Sequence, residues 1–224
     1  MNAPAGGDDR RSERDAMVAE QIARRGVRDS RVLEAMRRVP RHRFVPVDRT
    51  HEAHGDHPVP IGEGQTISQP FIVAEMTALA LTADPPVLRA LDVGTGSGYQ
   101  AAVLAQLVPE VVSIERIEAL ASRAKATLAD LGCANVEVRV GDGTLGCPEA
   151  APFCAIVVGA AAPSVPDALR EQLRVGGVLV VPVGHRSIQD LKVVRRTAAG
   201  FVEESAGACV FVPLIGKAGW PERD

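Results

Sequence analysis

The stretch that decides the fold is Leu91-Asp92-Val93-Gly94-Thr95-Gly96-Ser97-Gly98-Tyr99. Apolar residues run into it from Val87 and an alanine-rich segment follows, so it reads as a strand, a glycine turn and a helix over Tyr99–Leu107. Glycines in that place let the main chain turn tightly and come close to a ligand at a helix N-terminus. The same residues exclude three other loops. No Gly-Lys-Ser/Thr follows, as the phosphate loop of a nucleotide hydrolase requires. The third glycine comes one position early for a dinucleotide fingerprint. Thr95 stands where a nucleophile elbow needs glycine, so Ser97 is not a hydrolase serine.

Outward from the loop, apolar runs alternate with helical segments. Strands are expected over Val87–Val93, Val111–Glu115, Val136–Val140, Ile156–Val158 and Val178–Val183, and helices over Ile117–Leu131, closed by Gly132, and Pro166–Leu173. That alternation predicts an α/β, doubly wound, mostly parallel sheet covered on both faces. Leu191–Arg196 and Phe201–Leu214 read as successive strands and predict an antiparallel C-terminal end. Toward the N-terminus, residues 1–11 are expected to be disordered. Ser12 and Asp15 form an S-x-x-D capping box ahead of apolar Met17, Val18 and Ile22, with Gly26 as the stop. Asp29 starts a second helix that Pro40 ends. Residues 41–66 read as irregular. Gln69-Pro70 then opens a helix with Phe71, Ile72, Met76 and Leu79 on its inner face.

Function begins at the strand ends. Glu115 closes the strand after the glycine loop, where a carboxylate suits the two hydroxyls of a ribose. Gly141-Asp142-Gly143 closes the next, where an acid can accept an adenine amino group and the glycines admit the ring. With Asp92 ahead of the loop, these residues resemble the S-adenosylmethionine site of class I methyltransferases. Gly159-Ala160-Ala161-Ala162-Pro163 lacks the Asp/Asn-Pro-Pro-aromatic of base amino methylation, and no Pro-Cys nucleophile for cytosine C5 is present. A second motif, Ile61-Gly62-Glu63-Gly64-Gln65-Thr66-Ile67-Ser68-Gln69-Pro70, places two hydroxyls and several N–H groups just before a helix. The alternative for Ser68 is a plain helix cap.

Taken in order, IGEGQTISQP, LDVGTGSGYQAAVLA, SIERI, GDG, AAAP, GGVLVVPVG and FVPL resemble the protein-L-isoaspartate O-methyltransferase family from about Met17 to Leu214. The resemblance implies S-adenosylmethionine-dependent methylation of the free carboxyl of L-isoaspartyl residues in damaged proteins, followed by succinimide closure. The alternative is a methyltransferase for another carboxylate or a small molecule. It also implies active-site roles for Ser68 and Thr66. Cofactor positions follow for Asp92, Gly94, Glu115, Asp142 and Gly143, and with them Ile67, Thr95, Gly96, Ser97 and Arg116. The implied organisation is one domain over 12–224: a helical active-site segment (12–86), a cofactor-binding core (87–184) and C-terminal strands (185–224). Departures fall at His54 (Tyr in the family), Cys154 (Asp), Gly159 (Thr) and Val210 (Arg in bacterial members).

Composition narrows the partners. The 224 residues are 46% hydrophobic and 24% charged, with seven aromatics, too few for base stacking along single-stranded nucleic acid. Basic charge is 22 Arg against 3 Lys, and 12 of the Arg lie in residues 1–50. Alternation with acids at helical spacing reads as a solvated helix face, and the resemblance from Met17 onward implies that this front is a packed helical appendage. Cys133, Cys147, Cys154 and Cys209 have no zinc spacing. Gly55 and Pro58 break any helix that would align His51, His54, Asp56 and His57 on a metal. No apolar run reaches the 18–20 residues of a membrane span, and the first fifteen residues are polar. A cytoplasmic monomer without metal, acting on isoaspartyl proteins rather than nucleic acid or membrane, is expected.

Overall fold

The computed structural model describes residues 10–222. Its elements, in chain order, are α1 (Arg11–Ala16), α2 (Ser30–Arg38), β1 (Val59–Gly62), β2 (Gln65–Ile67), α3 (Pro70–Ala80), β3 (Arg89–Val93), α4 (Tyr99–Ala105), β4 (Glu110–Glu115) and α5 (Glu118–Asp130). There follow β5 (Val136–Val140), β6 (Phe153–Val158), α6 (Asp167–Glu171), β7 (Leu173–His185), β8 (Ile188–Thr197) and β9 (Gly200–Cys209). Seven strands form one sheet in the order β5-β4-β3-β6-β7-β8-β9. The first five are parallel, and β8 and β9 add antiparallel hairpins. This is the doubly wound, mostly parallel sheet with N-terminal helices and an antiparallel end that the residue pattern predicts.

The central strands are apolar on both faces because helices cover both. Leu91, Ile156 and Leu179 pack on one side, and Ala90, Ala155, Val157 and Val180 on the other. Buried parallel strands read as continuous apolar runs for this reason. Chain order reverses between β3 and β6, so their C-terminal ends form the switch point where α/β sheets open a crevice.

Five local expectations change. The expectation of disorder over 1–11 lies, for residues 1–9, outside the described residues, and Arg11 is helical. Ser12 does not cap α1: the cap is Arg10, whose guanidinium donates to the Thr50 carbonyl at 2.7 Å, and Ser12 lies inside the helix. Tertiary anchoring starts the helix early. Residues 41–66 are not wholly irregular, because β1 and β2 form a hairpin with Glu63 and Gly64 both at positive φ (54° and 67°). Strands of four and three residues leave too little alternation to read. The α3 helix buries Val73, Ala74, Met76, Thr77 and Ala80, while Phe71, Ile72 and Leu79 stay half-buried. It is apolar nearly all round, so periodicity does not select a face. Finally, β9 ends at Cys209, and residues 210–215 leave the sheet.

The basic front is also more than a solvated face. Arg14 and Arg41 are 1% and 0% exposed. Arg41 donates to the Ala53 carbonyl at 2.7 Å and the Ser68 carbonyl at 2.8 Å, with its guanidinium over the Tyr99 ring. Burial lowers its pKa to about 10, so it stays charged at neutral pH.

Candidate active site

At the end of β3 the chain turns through Gly94 and Gly98, whose φ angles of 88° and 91° strain any side chain. The N–H groups of Gly94 and Thr95 donate to the Ile114 carbonyl at 2.9 and 3.2 Å, folding the loop across the end of β4. Glu115 closes it: Oε2 accepts from the Gly96 N–H and Oε1 from the Ile117 N–H, both at 2.9 Å. Each carboxylate oxygen retains capacity for a second donor, the requirement for holding a vicinal diol.

Beneath the loop Asp92 is fully buried. Ser113 donates to its Oδ2 at 2.7 Å, and Thr95 and Ser113 share a hydroxyl contact of 2.5 Å. Since the Ser113 proton goes to Asp92, Thr95 is the donor in the second bond. Asp92 Oδ1 has no partner among the described residues. Burial pushes the Asp92 carboxyl up to about 7, with Ser113 pulling against it and Glu115 adding repulsion. An orphaned acidic oxygen under a ligand loop is a receptor for positive charge.

Asp142 is placed differently. Its Oδ1 accepts from the Thr144 N–H and hydroxyl at 2.9 and 2.6 Å, and Oδ2 from the Lys217 N–H at 2.8 Å. Burial opposes ionisation, but the Lys217 and Thr144 hydrogen bonds hold the carboxyl below its usual range. These bonds clasp the C-terminal tail, and the neighbouring Gly143 lines the cleft. Arg116 lines it too and pairs with Glu222 at 2.9 Å.

The tail forms the remaining wall. The Ala161 N–H donates to Val212 and the Leu214 N–H to Ala161, both at 2.8 Å, so residues 212–215 lie across the strand ends. Sequence reasoning assigned no ligand role to Ile114, Ile117, Leu214 or Ile215, all in the cleft wall. The apolar FVPL run was the available signal, though it reads equally as a strand.

Two chambers result. One is bounded by Gly94, Gly96, Glu115, Gly143 and the tail. The other, the roomier of the two, is bounded by Ser68, Phe71, Ile72, Glu75 and Phe211. Thr66 and Gly159 line both. The α3 cap is Gln69, and Ser68 makes no side-chain capping bond. The Thr66 and Ser68 hydroxyls have no hydrogen-bond partner among the described residues. Ile67, Thr95 and Ser97 lie in the floor between the chambers. Here the hairpin matters: Arg123 donates to the Ile61 carbonyl at 2.9 Å, fixing β1 on α5, so that β2 carries Thr66 to the junction.

The histidines do not converge. His54 is buried with Nδ1 3.1 Å from Glu13, and burial lowers its pKa against the pull of that carboxylate. Asp56 pairs with Arg25, and His57 Nδ1 faces the Pro58 carbonyl. Among the described residues no three His, Cys, Asp or Glu gather as a metal site, and no helix is long and apolar enough to cross a membrane.

A diol acceptor and apolar walls in one chamber, with a buried acid beneath its loop, fit a sulfonium nucleoside, and the adjoining chamber offers hydroxyls without a partner among the described residues to an acceptor. Fold and site define an S-adenosylmethionine-dependent methyltransferase of the Rossmann-like class. Comparison with known proteins narrows this. The family model for protein-L-isoaspartate(D-aspartate) O-methyltransferase matches residues 12–219. A protein-L-isoaspartate O-methyltransferase of Marinobacter nauticus is 54% identical, covering 96% of this chain and 98% of its own. One of Methanoregula boonei is 53% identical, covering 94% and 96%. A Plasmodium falciparum crystal structure described as a putative member, in complex with S-adenosyl-L-homocysteine, superposes with a TM-score of 0.78 at 26% identity, covering 90% of this chain and 98% of that one. The chain belongs to the protein-L-isoaspartate(D-aspartate) O-methyltransferase family.

Proposed function

We propose that the protein methylates the free carboxyl of L-isoaspartyl residues at the junction of the two chambers, with Ser68 and Thr66 holding the acceptor. The observation that carries this reading is that free hydroxyls and the cofactor loop meet at one point, Thr66 and Gly159 belonging to both cavities. Bound S-adenosylmethionine supplies an electrophilic sulfonium methyl. The acceptor carboxylate is ionised at neutral pH and needs no strong general base. What the chain contributes is alignment and the removal of water from that carboxylate. Ser68 donates a hydrogen bond to one carboxylate oxygen and leaves the other free to attack. Glu115 would receive the ribose hydroxyls, and the buried Asp92 carboxylate beneath the glycine loop would favour a cationic cofactor above it through its charge. Gly94, Thr95, Gly96, Ser97, Ile67, Arg116, Asp142 and Gly143 shape the cofactor end, and Asp142 also fixes the tail.

Residues 12–224 are read as one such domain, working as a cytoplasmic monomer on damaged proteins and not on nucleic acid or membrane. The decisive experiment gives the protein labelled cofactor with an isoaspartyl peptide and its aspartyl twin. Label entering the isoaspartyl peptide alone supports the reading. Equal labelling, or none, removes it.

A further inference from the structure

We propose that Glu75 is a specificity-determining residue of the acceptor chamber, receiving the cationic side chain of a Lys or Arg carried about three residues from the isoaspartyl residue. This rests on the reading that the chamber around Ser68 takes the acceptor. Glu75 follows Phe71 and Ile72 by one turn of α3, and all three line the same wall. It is half-buried, and its carboxylate has neither a hydrogen bond nor an ion pair among the described residues. Burial pushes its pKa up, with Arg25 pulling against the shift. Withdrawing a carboxylate from water without a donor is costly, and a ligand that brings the donor recovers that cost.

The other polar groups of the chamber are committed or uncharged. Arg25 pairs with Asp56 at 3.0 Å and lies flat on Phe71, 3.6 Å from the ring centre. Cys209 faces Glu75 from the tail wall. Burial pushes its thiol up to about 11, with Asp190 and Glu75 adding repulsion, so it stays neutral. Beside Cys209, Val210 is 72% exposed and brings no charge. The uncommitted charge in this chamber is therefore negative, and it selects a cation.

Spacing sets which residue of the acceptor reaches it. Glu75 lies five residues beyond Pro70, about 7.5 Å along the α3 axis, and Ser68 stands two extended residues ahead of the helix, so the two are on the order of 10 Å apart along the chamber wall. An extended peptide advances about 3.3 Å per residue. A side chain about three residues from the methylated carboxyl thus arrives at Glu75.

The test uses isoaspartyl peptides that differ solely in carrying Lys or Glu three residues from the isoaspartyl position, on either side. For the unaltered protein, kcat/KM is expected to favour one Lys peptide over its Glu counterpart by about fivefold, mainly through KM. Glu75→Gln brings the ratio near one, and Glu75→Lys inverts it. The readout is a ratio between peptides, so a general loss of activity cancels. A ratio that neither substitution moves overturns the proposal. Ile72→Trp, which fills the chamber wall, reports separately on the chamber, with cofactor affinity as the check on folding. Turnover blocked there, with the ratio indifferent to Glu75, leaves the acceptor chamber standing and removes Glu75. Turnover untouched by Ile72→Trp removes the acceptor reading itself.

Discussion

Ser68 lines the acceptor chamber and Asp92 lies buried beneath the cofactor loop, and each makes a separable prediction. A hydrogen bond to a charged group contributes about 1.5–3 kcal/mol. Ser68→Ala is therefore expected to lower kcat by about ten- to a hundredfold while leaving cofactor affinity, measured by calorimetry, nearly intact. Unchanged turnover would take Ser68 out of the mechanism. Asp92 is an acid whose folded pKa, about 7, lies above its unfolded value of 3.8. Between those values the native state binds the extra proton, so its contribution to stability falls as pH rises from about 4 to 7 and the full cost stands above 7. That cost is roughly 3–5 kcal/mol by linkage. Asp92→Asn is expected to be more stable than the parent at pH 8 and little different at pH 4, in urea titrations at both. It should also bind the cationic cofactor more weakly, because the orphaned Oδ1 no longer offers a charge. A variant with the parental pH dependence would refute the assignment. The Asp92 position is legible in the sequence ahead of the glycine loop. The missing partner of its Oδ1 is not, because orphanhood depends on what surrounds an atom.

At the scale of elements, a buried cation adds to the shared apolar core in tying the helical front and the β2 strand to the glycine-loop helix. Arg41 binds the Ser68 and Ala53 carbonyls and lies over Tyr99, which opens the helix after the glycine loop. Arg41→Met leaves two carbonyls without a donor and is expected to cost about 2–4 kcal/mol, read as a lower urea midpoint. Arg41→Lys keeps the charge but lacks the planar fork that spans both carbonyls, so it should recover part of the stability. Elements with strong signals, the alternating strands and the Pro-started α3, are legible in the sequence. The hairpin is not, being seven strand residues whose turn is Glu-Gly rather than Asn-Gly. Nor is Arg41 distinguishable from its neighbours, since an arginine among eleven others in fifty residues reads as surface charge. Burial is a property of what packs over a side chain, and here that is three segments far apart in sequence.

For the whole molecule, the consequential feature is the return of the tail across the strand ends. Leu214 packs in the core on one face of the sheet, and Val212 to Ile215 wall the cofactor chamber. Asp142 accepts from the Lys217 N–H and pins the tail's last turn, against which a side chain at Gly216 would collide. Ending the chain at Val210 is therefore expected to weaken cofactor binding at least tenfold by calorimetry, with the sheet's far-ultraviolet circular dichroism largely kept. Undiminished affinity would show that the tail is dispensable to the site. The sequence by itself determined the alternating α/β order, the glycine loop with acids at successive strand ends, and the TISQP segment, because each is a local pattern with a local physical cause. It took the tertiary structure to join two chambers at Thr66 and Gly159, to clasp the tail with Asp142, and to leave Glu75 without a hydrogen bond or ion pair among the described residues. Those relations hold between residues up to about 150 positions apart, and nothing in the chain's local chemistry encodes which distant backbone will arrive beside them.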